Sequence, residues 1–380
     1  MVRIFTACHG TQLLVIQHLR RHLQLHDAKE FLIWHPYGNA PFIDDFMQTV
    51  ISAAGFANTL DIRDFESLRP RTHSPVAWWF ESVRRLARDA ATVRRWMETN
   101  RIVEDEVELW ADDPIHFYVN FSRGILRKSR QVKIPHCFNH EDATIPECKE
   151  GLERQWRATP WPKKLAFQPW QRWMSGVDLR MDRVVYDRAY TFDQPSCWAD
   201  HSVDVSDLIS IEAFDQTYRT LPAAARAEVE AMLEPIRTAR KPLVLLLLFG
   251  FGPGPELRRL YEKSISRIFS ERGTDLKDCS LAVKVHPGSH GIQEQAFIDW
   301  LGANIPARVY PIVHPLNLEF MLPQLRPDHV LAGFCGALPI IRRLDVGRPV
   351  ALSELMDAYL REHPNEREAV SKFLSGIEIW

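Results

Sequence analysis

The chain has 380 residues, 46% apolar and 25% charged, with a formal net charge of −2. That length exceeds one ordinary core and predicts two domains of about 150 to 200 residues, and the near-neutral charge gives no field that would attract nucleic acid, which is excluded as a partner. Cys8, Cys137, Cys148, Cys197, Cys279 and Cys335 form no CxxC pair, which argues against a zinc ribbon or a disulfide scaffold and for reduced thiols in a cytoplasm.

The chain opens on a strand-like run, Val2 to Ala7, with no signal peptide ahead of it. The loop Cys8-His9-Gly10-Thr11 leads into a helical pattern from Gln12 to Leu25, and Phe31 to Trp34 reads as a second strand. Phe42 to Ala54 and Trp78 to Thr99 read as helices, the latter carrying arginines at 84, 85, 88, 94 and 95. Such a charge run is ordinarily a solvated face. Phe117-Tyr118-Val119 and Gln131 to Ile134 read as extended. Trp156 to Trp173, rich in Pro, Trp, Lys and Arg, reads as an irregular insertion or connection. Asp182 to Phe192 reads as a strand pair, and Ser206 to Leu233 as mostly helical.

A second α/β unit begins at Lys241-Pro242. Leu243 to Phe249 is the near-continuous apolar run of a central parallel strand, and it is too short to cross a bilayer. Peripheral membrane contact stays compatible with this composition. A helix from Glu256 to Arg272, a strand from Ser280 to Val285 and a helix from Gln293 to Leu301 follow. Then come a strand at 307–310, a short helix at 318–322, a strand at 328–332 and a helix at 337–343. This alternation predicts a parallel sheet with helices on its faces. The expected division is 1–195 and 196–380, two Rossmann-like domains facing a central cleft.

Ligands in open α/β sheets bind beyond the carboxyl ends of strands. Three loops of the second half occupy that position. Gly250 to Pro255 holds three glycines in five residues, including Gly250 and Gly252, and lets backbone approach a ligand. Lys284-Val285-His286-Pro287 ends a strand on a histidine whose direction the proline fixes, so that it can donate to a phosphate oxygen. Lys284 adds charge there, and its direction relative to His286 depends on how far the strand pleat persists. Gly333-Phe334-Cys335-Gly336 opens a helix whose first amides suit an anion. In the first half, His140-Glu141-Asp142-Ala143 can supply a general base, Glu141 or Asp142; the plain alternative is an exposed acidic turn. Thr11 and Gln12 sit at the equivalent edge of the first half, where the plain alternative is a helix cap formed by Thr11. Arg123, Arg127, Lys128, Arg130 and Lys133 could meet an anionic glycan acceptor or an acidic membrane, or form a solvated face.

In chain order, Thr11-Gln12, Glu141-Asp142, Lys284-Val285-His286-Pro287 and Gly333-Phe334-Cys335-Gly336-Ala337-Leu338 resemble the motifs of the bacterial sialyltransferases and polysialyltransferases of GT-B fold. The resemblance is best from Lys241 to Leu344 and absent from about 153 to 239. It implies a metal-independent inverting transferase that needs no cofactor beyond a CMP-sialic acid donor and acts on a glycan acceptor, anionic or lipid-linked, in the cytoplasm or at the inner face of the membrane. It implies that Asp142, with Glu141 as competitor, is the base. His286 would contact the CMP phosphate, and Cys335 and Gly336 would replace the family's phosphate-binding hydroxyls. Two positions depart from the family: Ala143 stands for its glycine, and Cys335-Gly336 for its hydroxyl residues. A thiol is a weak donor. Unless helix-start amides substitute, weaker donor binding, another donor or loss of activity follows. The alternatives are a GT-B transferase using CMP-Kdo or a UDP-sugar in capsule or lipopolysaccharide synthesis, a glycerol-phosphate polymerase, and a degenerate nucleotide- or glycan-binding protein.

Overall fold

The computed structural model describes residues 1–25, 27–35, 41–62, 75–112, 117–135, 137–138, 186–192, 196, 198–199, 201–249, 255–271, 278–286, 291–333, 335–364 and 367–380. They group into two units, Met1–Asn39 with Ile51–Leu208 and Ala40–Val50 with Ile209–Trp380. The boundary read from the sequence at 195/196 differs from this division. The first unit runs on to Leu208 because one more strand joins its sheet, and a piece of an early helix groups with the second.

The first unit holds β1 (Val2–Ala7), α1 (Gly10–His22), β2 (Lys29–Trp34), β3 (Asn58–Asp61), α3 (Pro75–Thr99), β4 (Val107–Ala111), α4 (Phe117–Ile125), β5 (Arg130–Lys133), β6 (Arg188–Thr191) and β7 (Ser202–Asp204); α2 (Pro41–Ala53) is the helix divided between the units. Its sheet runs β3-β2-β1-β4-β5-β6-β7, with all pairs parallel. Ile4, Phe31, Ile33 and Leu109 from the sheet pack with Val93, Trp96 and Met97 of α3 and Val119 and Phe121 of α4.

Residues 117–119, read as extended, belong to helix α4. The aromatic and β-branched run favours a strand locally. The parallel pairing of β4 with β5 overrides it, because parallel neighbours need a crossover connection, most often a helix. Of the strand pair expected at 182–192, residues 182–185 lie outside the described residues; the rest holds strand β6, with Tyr186 bridged to Ala199.

The second unit holds α5 (Ile211–Thr220), α6 (Ala223–Thr238), β8 (Leu243–Leu247), α7 (Glu256–Glu271), β9 (Ser280–Lys284), α8 (Ile292–Asn304), β10 (Arg308–Ile312), α9 (Leu318–Leu325), β11 (His329–Ala332), α10 (Ala337–Leu344), β12 (Arg348–Ala351), α11 (Ser353–Glu362), α12 (Arg367–Phe373) and β13 (Glu378–Ile379). The sheet order β10-β9-β8-β11-β12-β13, all parallel, is that of a dinucleotide-binding Rossmann sheet. Alternate residues Val244 and Leu246, with Leu281 and Val283, meet Tyr261, Ile265, Phe297, Leu301 and Leu355. Leu245 and Ala282 on the opposite face are also fully buried, which explains why these strands read as unbroken apolar runs. Among the described residues, no helix is long and apolar enough to cross a membrane.

Candidate functional site

The order of the second sheet reverses between β8 and β11, so a ligand crevice is expected beyond the carboxyl ends of those strands. Several polar groups of this unit gather there. Lys284, the last residue of β9, is 5% exposed; its Nζ donates to the carbonyls of Val285 at 3.1 Å and His314 at 2.7 Å. It therefore ties the end of β9 to the loop after β10. Burial lowers its pKa to about 7, while the carboxylate of Glu319 opposes that shift.

His286 is exposed beyond this strand end, yet surrounding protein and the Lys284 charge together hold its imidazole below the usual range. His314 is buried, and its pKa is lowered to about 4 by burial first and then by Lys284. Glu319, in the first turn of α9, is half-buried; desolvation raises its carboxyl pKa, with Lys284 pulling the other way.

The end of β8 is fixed from beneath. The Tyr261 hydroxyl donates to the carbonyl of Leu247 at 3.1 Å and accepts from the amide of Phe249 at 3.2 Å. Gly333, after β11, packs so closely that an added Cβ would lie 2.9 Å from Phe249 and 3.1 Å from Leu355, so the site needs glycine there. Cys335 is half-buried, and burial pushes its thiol up to about 11, so it acts as a thiol and not as a thiolate. Its sulfur receives the Ala337 amide, and its carbonyl receives the Leu338 amide at 3.0 Å. Two of the first amides of α10, expected to stand in for missing hydroxyls, are thus engaged by Cys335 itself.

In the first unit the strand order reverses between β1 and β4. His9 caps α1, not Thr11: its Nδ1 accepts from the Gln12 amide at 3.4 Å. Gln12 is fully buried. Its side-chain oxygen accepts from the Cys8 amide at 2.8 Å, and its amide group donates to Asp112, which directly follows β4. The Tyr186 hydroxyl donates to the Asp112 carbonyl. Asp112 was passed over in the sequence; its signal is the Asp112-Asp113 pair after an apolar run. Of the five basic residues from 123 to 133, two are buried, and a third, Arg130, is exposed but paired. Arg123 bonds Gln131 at 3.2 Å beneath the Tyr186 ring, Lys133 is 2% exposed, and Arg130 pairs with Glu108 at 3.3 Å.

The structure therefore brings Lys284, His286, Cys335 and Gly336 to the strand-end edge of one sheet, and adds His314, Glu319 and Tyr261, which no local motif marked. Thr11 and Gln12 lie at the corresponding edge of the other unit. Glu141, Asp142, Gly250, Gly252 and Pro287 lie outside the described residues. Cys279 and Cys335 are free thiols. Among the described residues, no cluster of His, Cys, Asp and Glu has metal-site geometry.

No protein-family model matches the chain, and no curated protein matches its sequence. Solved structures do match its shape. The GT-B domain of a sialyltransferase from Photobacterium damselae aligns at 12% identity and TM-score 0.51, covering 100% of both chains. The UDP-GlcNAc 2-epimerase of Neisseria meningitidis, bound to UDP-GlcNAc, aligns at 10% identity and TM-score 0.50 over 99% of this chain and 95% of its own. The N-terminal domain of Candida albicans trehalose-6-phosphate phosphatase aligns at 10% identity and TM-score 0.50, over 100% and 86%. With two parallel Rossmann-type sheets, these alignments establish an α/β GT-B fold.

Proposed function

We propose that this protein is a glycosyltransferase that takes a sugar from a nucleotide donor, most specifically sialic acid from CMP-sialic acid, and transfers it to a glycan acceptor. The observation that carries this reading is the polar edge of the second sheet, where Lys284, His286 and the Cys335-Gly336 turn flank the reversal of strand order. Structural likeness to a sialyltransferase domain and to a UDP-GlcNAc-bound epimerase supports a nucleotide-sugar donor.

In this reading the Asp142 carboxylate takes the acceptor hydroxyl proton, with Glu141 its competitor. The hydroxyl oxygen attacks the anomeric carbon from the face opposite the nucleotide. The bond to the donor phosphate breaks, and its electron pair leaves on a CMP phosphate oxygen. A neutral His286 donates to that oxygen, and the Lys284 ammonium stabilises the growing charge. Thr11 and Gln12 belong to the acceptor side, and Gly250, Gly252, Pro287, Cys335 and Gly336 to the donor side. No metal or cofactor beyond the donor enters the step. The protein would work in the cytoplasm, at or near the inner membrane face.

A UDP-sugar donor is the second reading, favoured by the thiol at Cys335 and its engagement of the helix-start amides. Calorimetric titration with CMP, UMP and GMP decides between them. Selective CMP binding, weakened in His286→Ala, is the expected result. Selective UMP binding moves the donor class, and no nucleotide binding sinks the transferase reading. Loss of turnover in Asp142→Asn tests the base; intact turnover removes that role.

A further inference from the structure

We infer that the pocket between α2 and α6 binds a hydroxyl-bearing, non-anionic saccharide. It lies within the second unit, is about 320 Å³, and is lined by Asp45, Phe46, Thr49, Ala224, Ala225 and Glu228. That volume is at the lower end of small-molecule sites, about 300–1,000 Å³. Its described walls hold two carboxylates and no lysine or arginine. Ionised carboxylates only accept hydrogen bonds, so the occupant must bring donors and must not bring negative charge.

His314 narrows the chemistry further. Its ring meets Phe46 edge-on with centroids 4.8 Å apart, and it is 3% exposed. Its Nδ1 accepts the Leu316 amide at 3.0 Å, so in the neutral ring the proton sits on Nε2. That Nε2 is buried without a hydrogen-bond partner and lies 3.6 Å from Glu228 Oε1, too far for a hydrogen bond. A buried donor thus faces a carboxylate that it does not reach. A hydroxyl answers both groups, accepting from Nε2–H while donating to Glu228. An ammonium could only donate and a carboxylate could only accept. The Glu228 side chain is 65% exposed, and its rotation opens the approach.

His314, behind the lining residues Phe46 and Glu228, links the pocket to the donor edge, since its carbonyl accepts from Lys284 Nζ at 2.7 Å. That link makes its saccharide one part of the glycan acceptor, in addition to the part assigned to Thr11 and Gln12, a role resting on the transferase reading; the saccharide site itself does not.

The test is an NMR titration of isotope-labelled full-length protein, first with CMP and UMP, then with lactose, N-acetylglucosamine and glucuronate. The His314 ring signals are assigned by their loss in His314→Gln. A neutral sugar should shift those signals, and glucuronate should bind at least about tenfold more weakly. Glu228→Gln should weaken the neutral sugar about tenfold without changing nucleotide affinity. Equal or tighter glucuronate binding, an unaffected Glu228→Gln variant, or no saccharide binding at millimolar concentration overturns the inference. If the neutral sugar binds and no nucleotide does, the transferase reading fails while the pocket assignment stands.

Discussion

The two sheets share a strand order, and each ends one strand on a buried lysine, Lys133 in β5 and Lys284 in β9, but only the first carries a ladder of alternating charge across its strands. In the first, Glu30, Arg3, Glu108 and Arg130 are direct neighbours across β2, β1, β4 and β5. Arg3 meets Glu30 at 3.3 Å and Glu108 at 3.4 Å, and Arg130 meets Glu108 at 3.3 Å, so signs alternate and each carboxylate is answered. In the second sheet, the row at the same depth runs Val309, Leu281, Val244, His329 and Arg348, with no carboxylate in it. Its buried charge, Lys284, stands at the carboxyl end and bonds two carbonyls instead of a carboxylate. Buried charge that is fully paired is architecture. A buried charge at a strand-end edge that hydrogen-bonds carbonyls, with the carboxylate of Glu319 acting only through space, is a binding-site signature, because a ligand can complete it.

Breaking the ladder should have the largest effect. Arg3→Leu removes the partner that Glu30 and Glu108 share, leaving them Arg20 at 2.6 Å and Arg130 at 3.3 Å, and should cost about 3 kcal/mol in urea unfolding; a loss under about 1 kcal/mol would mean that the remaining arginines suffice. Tyr261→Phe strands the Phe249 amide and the Leu247 carbonyl at the end of β8. It should cost about 1–3 kcal/mol and weaken nucleotide binding with it. Lys284→Met sharpens the contrast. It should weaken nucleotide affinity about tenfold yet destabilise far less than Arg3→Leu, because it also removes a desolvated ammonium.

The pH dependence of that binding has a definite sign. Lys284 is charged below its pKa of about 7, so wild-type affinity should be highest there and fall as pH rises through 7. The same titration of Lys284→Met should lack this component, and parallel profiles would remove Lys284 from the site. The smallest effect is at Glu354, which accepts from Arg267 at 2.8 Å and from Ser264 at 2.9 Å. Those bonds depress its pKa to about 2, so its contribution is complete above the usual carboxylate range and is lost as pH falls toward 2. Glu354→Gln should cost about 1 kcal/mol at neutral pH, a difference from wild type that closes as acid is added.

Much of the second unit was legible because its central strands are apolar on both faces. Leu243 to Phe249 and Leu281 to Val285 announce themselves, and so do the loops at their ends. Strands β4 and β12 were hidden for local reasons. Glu108 interrupts the run in β4, and its partner Arg3 is far away in the chain. Pro349 stands inside β12, although proline is normally confined to sheet edges. The site was legible only where its residues form a short motif, as at Lys284 and His286. His314 and Glu319 reach the same edge through β10 and α9, and their role depends on tertiary placement. The His9 cap is invisible because a ring nitrogen does there what a hydroxyl or carboxylate normally does.

The charged ladder also constrains assembly. Strand β4 must find β1 across about a hundred residues of chain, and β5, also short and parallel, competes for the same edge. Were β5 to dock first at the register it keeps with β4, Arg130 would stand beside Arg3, and two guanidinium groups would be direct neighbours with no carboxylate between them. Glu108 is the residue that makes β4 the acceptable neighbour. The alternation of charge therefore works as an address, favouring one order of neighbours as the sheet is built and holding that order once it is complete.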